Sequence, residues 1–338
     1  MKKINILYFV VIFVLMTSVV PAVENSLPSP SSSFARSAAM GGAFTAVEDD
    51  FENILFNAAA MRPHALVDKH FSLSLNPAGA ALSACYYNSL TSSPKIDSEY
   101  LLALGGLLVR HISFANQTVQ FSILLSEDLR KATFDSSSFS NFNTDGLLDN
   151  YYHASAIRIT PAQQISIGVS GYYFNIAKDG QRQTPALGGG YSILIKPSAA
   201  LSAGVSYFYF PDAVDSLMFD LYGLKKRTVN AGIVYSPLYR LKFAVDARNI
   251  SGDEGSSPGQ IRAGIEVLPG YFFALRGGYA QKAKNSHYVT LGFGIGDFRP
   301  FRTESSFVFS NILLNYALET EIENPDALRH SLTFLIRF

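Results

Sequence analysis

Residues 199–207 read AALSAGVSY and residues 289–296 read VTLGFGIG. In the first stretch Ala199, Leu201, Ala203, Val205 and Tyr207 alternate with Ser202, Gly204 and Ser206. In the second, Val289, Leu291, Phe293 and Ile295 alternate with Thr290, Gly292, Gly294 and Gly296. Successive residues of a strand project to opposite faces, so each stretch has one apolar face and one small or polar face. The pattern recurs in Ile165, Ile167, Val169 and Tyr173 against Ser166, Gly168 and Ser170. It recurs again in Leu241, Phe243, Val245 and Ala247 against Lys242, Ala244, Asp246 and Arg248. A soluble sandwich would turn the apolar face inward, and a membrane barrel would turn it to lipid. The alternation alone fits both.

Composition and the first residues favour the barrel. The chain of 338 residues is 48% hydrophobic and only 16% charged, with 26 Phe, 18 Tyr and no Trp. Ordinary soluble domains carry about 25% charge. Lys2 and Lys3 precede an apolar run from Ile4 to Val20, followed by Val20-Pro21-Ala22. This reads as a cleaved export signal over residues 1–22, with a retained helical anchor as the alternative. Removing it takes away two basic residues and no acidic one from an even balance of 27 and 27, which argues against nucleic acid as a partner. No later apolar run reaches the roughly 18–20 residues of a spanning helix, whereas a spanning strand needs about ten, half of them polar. Cys85, the chain's one cysteine, can form no internal disulfide and reads as a structural strand residue.

The spacing of connections sharpens the picture. Short ones are expected at Arg110–Ser113, Thr160–Gln163, Lys196–Ala199, Ser236–Arg240 and Leu268–Gly270. Long polar ones are expected at Glu127–Asp149, Pro211–Gly223 and Ile250–Gly259. Outer-membrane barrels have short periplasmic turns and long external loops. Counting back from Phe338, every short turn falls on one side. About 14 strands reach back to Ala80, an even number as bacterial barrels of this type have. The last strand alternates Leu332, Phe334, Ile336 and Phe338 with Ser331, Thr333, Leu335 and Arg337, and its terminal Phe338 is similar to the signal read by barrel assembly machinery. The expectation is a transmembrane antiparallel up-and-down β-barrel over residues 80–338. His70–Leu75 is surplus to that count and goes to an N-terminal segment over 23–79, and Arg299–Phe309 is the weakest stretch, with room for an extra element.

Residues 35–61 read ARSAAMGGAFTAVEDDFENILFNAAAM. On their own they suit either a compact small-residue insert or a solvated helix start with an ordinary turn. They resemble the N-terminal signature of the FadL-like outer-membrane proteins, including the PorV-type branch, in which AR-x-x-x-M-GGAF-x-A-x-x-DD precedes an Asn-Pro-Ala turn. The matching residues are Ala35, Arg36, Met40, Gly41, Gly42, Ala43, Phe44, Ala46, Asp49 and Asp50. Asn57 is followed by Ala58 and Ala59, a departure from the usual Pro-Ala. The last two strands, from Asn315-Tyr316-Ala317 to Phe338, are also similar. The resemblance covers about 27 N-terminal and about 30 C-terminal residues, with only strand rhythm agreeing between them.

The resemblance implies a 14-stranded barrel whose N-terminal segment plugs the lumen, with Arg36, Gly41, Gly42, Phe44, Asp49, Asp50 and Asn57 in the plug. Asp49, Asp50 and Glu52 are expected to meet Arg262, Arg276 and Arg248. Lys242, Asp246, Arg248, Arg262, Glu266 and Arg276 fall on the lumen face, where they either pair with one another or hold a ligand headgroup. External loops of the family form a greasy capture groove, which points to Phe134, Phe139, Phe142, Leu217, Met218 and Phe219. These side chains otherwise pack on each other or on lipid at the rim. The resemblance implies a bacterial outer-membrane transporter of hydrophobic small molecules, most simply long-chain fatty acids, surrounded by outer-membrane lipid. The alternatives are a scaffold with secretion-system partners, and a surface adhesin or structural barrel. Enzyme chemistry is not expected: the six histidines are scattered without metal-ligand spacing, no G-x-S-x-G turn occurs, and Gly292, Gly294 and Gly296 lie within a strand. No cofactor or metal is expected.

Overall fold

Fourteen strands close into one antiparallel ring in the computed structural model. The structure describes residues 26–29, 34–48, 51–62, 71–79, 105–116, 118–129, 150–178, 181–182, 185–251, 259–283, 286–296, 312–324 and 328–338. The strands, in chain order, are β1 (Phe71–Leu75), β2 (Val109–Ala115), β3 (Val119–Asp128), β4 (Asn150–Ala162), β5 (Ile165–Lys178), β6 (Ala186–Ser198) and β7 (Leu201–Tyr209). Then come β8 (Thr228–Leu238), β9 (Leu241–Arg248), β10 (Gln260–Val267), β11 (Phe273–Ala283), β12 (Ser286–Ile295), β13 (Ile312–Glu321) and β14 (Leu328–Arg337). Each pairs with its sequence neighbours, and β14 closes on β1 through Ile336 opposite Leu75 and Arg337 opposite Ser74. Backbone bonds exchanged by Leu73 and Phe338 extend that seam. A short N-terminal strand, Ser26–Ser29, lies parallel to β14 near Arg329 and Ser331.

The ring satisfies backbone donors and acceptors between strands, which is what a hydrocarbon environment demands of any sheet crossing it. Its apolar and polar faces are inverted relative to a soluble protein. Ile167 is 47% exposed and Leu291 60%, while their neighbours Ser166 and Thr290 are 3% and 0% exposed. Ile157, Val205, Ile233, Val245 and Ile261 join the outer belt. Gln120, Ser122, Ser170, Ser206 and Asn315 point inward and are buried. No helix among the described residues is long and apolar enough to cross a membrane.

The two ends of the ring differ as the spacing predicts at most of the expected turns and loops, with two exceptions. Tight turns at Gln163–Gln164, Ala199–Ala200 and Tyr239–Arg240 lie at the end that also holds Phe338. Pro161, Pro197 and Pro237 each stand just before one of these turns, and the pairing register shifts there. A proline lacks the donor that a continuing ladder needs, so it sits where pairing ends. The opposite end carries the longer connections β3–β4, β7–β8 and β9–β10, but β11 and β12 are joined there by only two residues, and the long connection of residues 296–311 leaves from the Phe338 end. The connection between β7 and β8 holds the helix α3 (Asp215–Tyr222).

Two expectations are corrected. Phe71–Leu75 is not part of the plug: it is β1, paired with β2 on one side and β14 on the other. The barrel therefore begins at Phe71 rather than Ala80. Arg110–Ser113 is not a turn but the middle of β2, and the turn lies at Asn116–Thr118, where the Asn116 side chain accepts from the Thr118 and Val119 amides (2.9 and 2.7 Å). The reason is a bulge. Leu75 pairs with Val109 and Ser74 with His111, so Arg110 is the extra residue and two consecutive polar side chains face inward. Residues 1–22, Cys85 and Arg299–Phe309 lie outside the described residues.

The register yields a direct test. With Cys85→Ser as background, single cysteines at Gln120, Ser166 and Gly292 should resist a lipid-phase thiol reagent, while those at Ile167, Leu291 and Phe334 should react with it. Lipid-phase labelling of the first group would overturn the assigned faces.

Candidate functional site: the plugged lumen

Residues 34–48 and 51–61 lie inside the ring. Nearly every residue of the segment is buried, with Ala35, Met40, Phe44, Ile54 and Ala59 at 0% exposure. It contains α1 (Ala35–Ala39), α2 (Asn53–Phe56) and a 3₁₀ turn at Ala58–Ala60. Gly41 and Gly42 both have positive φ (64° and 74°), so the Gly-Gly pair supplies the left-handed turn after α1. Two asparagines tie the segment to itself. Asn53 Nδ2 donates to the Val47 and Ala60 carbonyls (2.7 and 2.9 Å), and Asn57 Nδ2 donates to Thr45 O (2.6 Å). Asn57 Oδ1 also accepts from the Ala59 amide (3.0 Å), which starts the 3₁₀ turn without the proline of the related motif.

The inward wall is built to receive this backbone. A Cβ on Gly278 would lie 2.1 Å from Gly41 N, and one on Gly204 would lie 2.4 Å from Thr45 O. Glycine alone lets the plug approach so closely. Wall hydroxyls and charges then pair with plug main chain. Thr290 Oγ1 donates to Ala39 O and accepts from Gly41 N (both 3.0 Å), Ser202 Oγ donates to Ala46 O (3.0 Å), and Ser192 Oγ accepts from Ala59 N (2.9 Å). Asp246 Oδ2 accepts three bonds, from Phe44 N, Thr45 N and Thr45 Oγ1 (2.8, 2.8 and 2.7 Å).

The six lumen charges all point inward. Glu266 sits among Arg36 of the plug (2.8 Å), Arg276 (2.8 Å) and Lys242 (3.1 Å), and Arg248 stands 3.5 Å from Asp246. Mutual pairing therefore accounts for much of the cluster. Of the acids expected to meet lumen arginines, Glu52 is felt by Arg276, and contacts of the other polarity are present as well. Arg262 and Arg248 donate to the Gly41 and Gly42 carbonyls, while carboxylates of the wall hold the plug's amides and its Arg36. Glu52 accepts from the Arg36 and Ser37 amides within the plug (3.3 and 2.8 Å). Asp49 and Asp50 lie outside the described residues. At the tight-turn end Glu48 meets Lys196 (2.9 Å) and Arg158 (4.0 Å). Burial pushes its carboxyl up, but Lys196 and neighbouring arginines outweigh that and hold it below the ordinary value. This contact is accordingly fully made above the usual carboxylate range and is lost as pH falls through the lowered value.

Toward the loop end the inward face changes character. Along β5 it runs Ser166, Gly168, Ser170, Tyr172, Phe174, and along β7 it runs Ser202, Gly204, Ser206, Phe208, then Phe210 beyond the strand. Small residues hold the plug, and aromatic ones follow where the plug ends. Tyr152, Tyr172, Phe174, Phe208 and Phe210 pack with centroid separations of 5.4–6.4 Å, and Phe34 and Phe56 join from the plug side at 5.2 and 6.5 Å from Tyr222. Helix α3 roofs the cluster. Met218 is fully buried, Leu217 packs against the same core, and Phe219 lies under Lys225 at 5.6 Å. The expected greasy loop surface at Leu217, Met218 and Phe219 is thus turned largely inward. Phe134, Phe139 and Phe142 lie outside the described residues. The aromatic cluster was missed by the sequence reading, although the small-to-aromatic switch on alternate residues of β5 and β7 marks it. Beside it a buried ion pair joins Arg110 and Glu127.

No family model and no curated protein matches the chain. Among solved structures, the Ralstonia pickettii toluene transporter TbuX is 12% identical, over 94% of this chain and 98% of that one, with a TM-score of 0.44. A triple mutant of the Rhodopseudomonas blastica porin is 13% identical, over 68% of this chain and 75% of that one, with a TM-score of 0.36. Neither likeness assigns this chain a function.

Asp246→Ala removes the acceptor shared by three plug donors. Hydrogen bonds to a charged group contribute about 1.5–3 kcal/mol each in net terms. The barrel is expected to assemble normally while the N-terminal segment becomes cleavable by protease in detergent-extracted protein. Full resistance in Asp246→Ala and in Gly278→Val alike would contradict the contacts described.

Proposed function

We propose that the protein is an outer-membrane passage for hydrophobic small molecules, opened by movement of the plug. The observation that carries this is the division of the lumen: a small-faced section filled by residues 34–48 and 51–61, and an aromatic section at the loop end between α3 and the plug. A structural barrel has no need of aromatic side chains on its lumen face, since polar side chains suffice there. A clustered aromatic lining beneath α3 at the loop end suits an apolar ligand leaving water. The apolar outer belt and the leader-like first residues support placement in the outer membrane.

Long-chain fatty acids are the first candidates, in keeping with the resemblance at residues 35–61. An acyl chain or a flat ring system can lie against Tyr172, Phe174 and Phe208 once α3 shifts. The plug blocks open flow, and its many separate hydrogen bonds to the wall, each modest in net strength, can be exchanged for water as it rearranges.

The test is mass spectrometry of lipids retained by gently extracted protein, together with uptake of a labelled fatty acid by cells that do or do not express it. Retained acyl or aromatic compounds and expression-dependent uptake are expected. Replacing Phe174 and Phe208 together with Ser should reduce that uptake severalfold. Absence of any retained apolar compound, with no uptake and with secretion components co-purifying instead, would replace this account with that of a secretion scaffold.

A further inference from the structure

Arg248, the last residue of β9, is fully buried and touches both elements that would have to move. Its Nη1 donates to the carbonyl of Tyr222, the last residue of α3 (2.9 Å), and its Nη2 donates to Gly42 O in the plug. The guanidinium lies 4.7 Å over the ring of Phe56 in α2. Its Nε stands 3.5 Å from Asp246 Oδ2, the atom that accepts the Phe44 and Thr45 donors.

Arg262 makes a second bridge. Its Nη1 donates to Gly41 O (3.1 Å) while Gln260 holds the other side of the guanidinium (2.9 and 3.3 Å). Gly223, the left-handed cap that ends α3, lies directly against it: a Cβ there would come within 1.8 Å of Nη2. Asn249, next to Arg248, donates to Gly223 O (3.0 Å) and accepts from Lys225 N (3.1 Å). The end of the loop helix and the Gly-Gly turn of the plug are therefore the two faces of one arginine layer.

We propose that Arg248 and Arg262 form a latch that makes α3 and the plug release together, so that a ligand displacing the loop helix at the outer end loosens the plug beneath. The inference rests on the gated passage proposed above and supplies its trigger. The physical reason is the cost of an unpaired buried donor. When α3 leaves, the Tyr222 carbonyl and the partial negative charge at the helix C-terminus leave with it. Arg248 is then a buried cation short of an acceptor, and its grip on Gly42 weakens as water enters. The planar fork is essential because its two ends reach acceptors on two elements at once, which an ammonium does not reproduce.

The test uses the full chain with Cys85→Ser and a reporter, Ala43→Cys, which is fully buried in the plug. The rate of reaction with a water-soluble maleimide is compared in four proteins: the parent, one with residues 213–222 replaced by a Gly-Ser linker, Arg248→Lys, and the combination. Shortening the loop should speed labelling about tenfold in the parent, the size of coupling found between residues in one network. In the Arg248→Lys background it should add nothing further. Equal labelling in parent and shortened-loop proteins, or effects that simply multiply, would overturn the latch. Should Arg248→Lys fail to assemble, Arg262→Lys carries the same expectation. The labelling needs no ligand, so a failed latch with intact fatty-acid uptake is distinguishable from a failure of the passage itself.

Discussion

A ring of about eight strands is narrow enough for its own side chains to fill, and wider rings leave space along the axis. A fourteen-stranded ring must either admit water or contain something else. In this chain the N-terminal segment occupies the space, and the rest of the interior follows from that. Many of the wall residues that face it are Gly, Ser and Thr, because a backbone rather than a side chain has to fit there. The plug in turn is rich in alanine and contains a Gly-Gly turn that lies against Gly278.

Filling the lumen with backbone creates a second requirement. Each plug amide and carbonyl removed from water needs a partner, and the turns within the segment satisfy only part of them. Asp246, Thr290, Ser192, Ser202, Arg248 and Arg262 take up that role. The charges among them are tolerable inside because they are paired or bound to main-chain groups. Glu266 illustrates the balance: one carboxylate is shared by Arg36, Arg276 and Lys242. Placed on the outer face, each of those cations would cost about 2–4 kcal/mol in lipid. The same contacts that hold the plug are individually exchangeable for water, which makes a filled barrel compatible with a gate.

Much of this was legible in the chain. Period-two alternation identifies the strands from β4 to β14 because a strand with lipid on one side and lumen on the other has no freedom in its pattern. The lumen charges follow from the same alternation. The plug was legible only through its motif, since alanines and glycines at 35–61 carry no periodic signal. Phe71–Leu75 alternates cleanly, yet its five residues were set aside by a strand count that began at Ala80. Arg110 and His111 were misread as a turn because a bulge turns two neighbours inward, which no period-two rule anticipates. Which partner supplies the carboxylate was also beyond the pattern. Nothing in the alternation shows that Arg248 and Arg262 bind plug carbonyls or that the wall's Asp246 binds plug amides. The loop helix was seen as exposed apolar residues because sequence does not tell a surface from a roof.

The central claim is that residues 34–61 are a removable filling and not a structural part of the wall. Single-channel recording in planar bilayers tests it most directly, comparing the intact chain with one lacking that segment. The account predicts a barrel that still assembles, with a large steady conductance where the intact protein shows little. Equal conductance in the two would mean that the segment does not close the lumen, and the gate described here would have no physical basis.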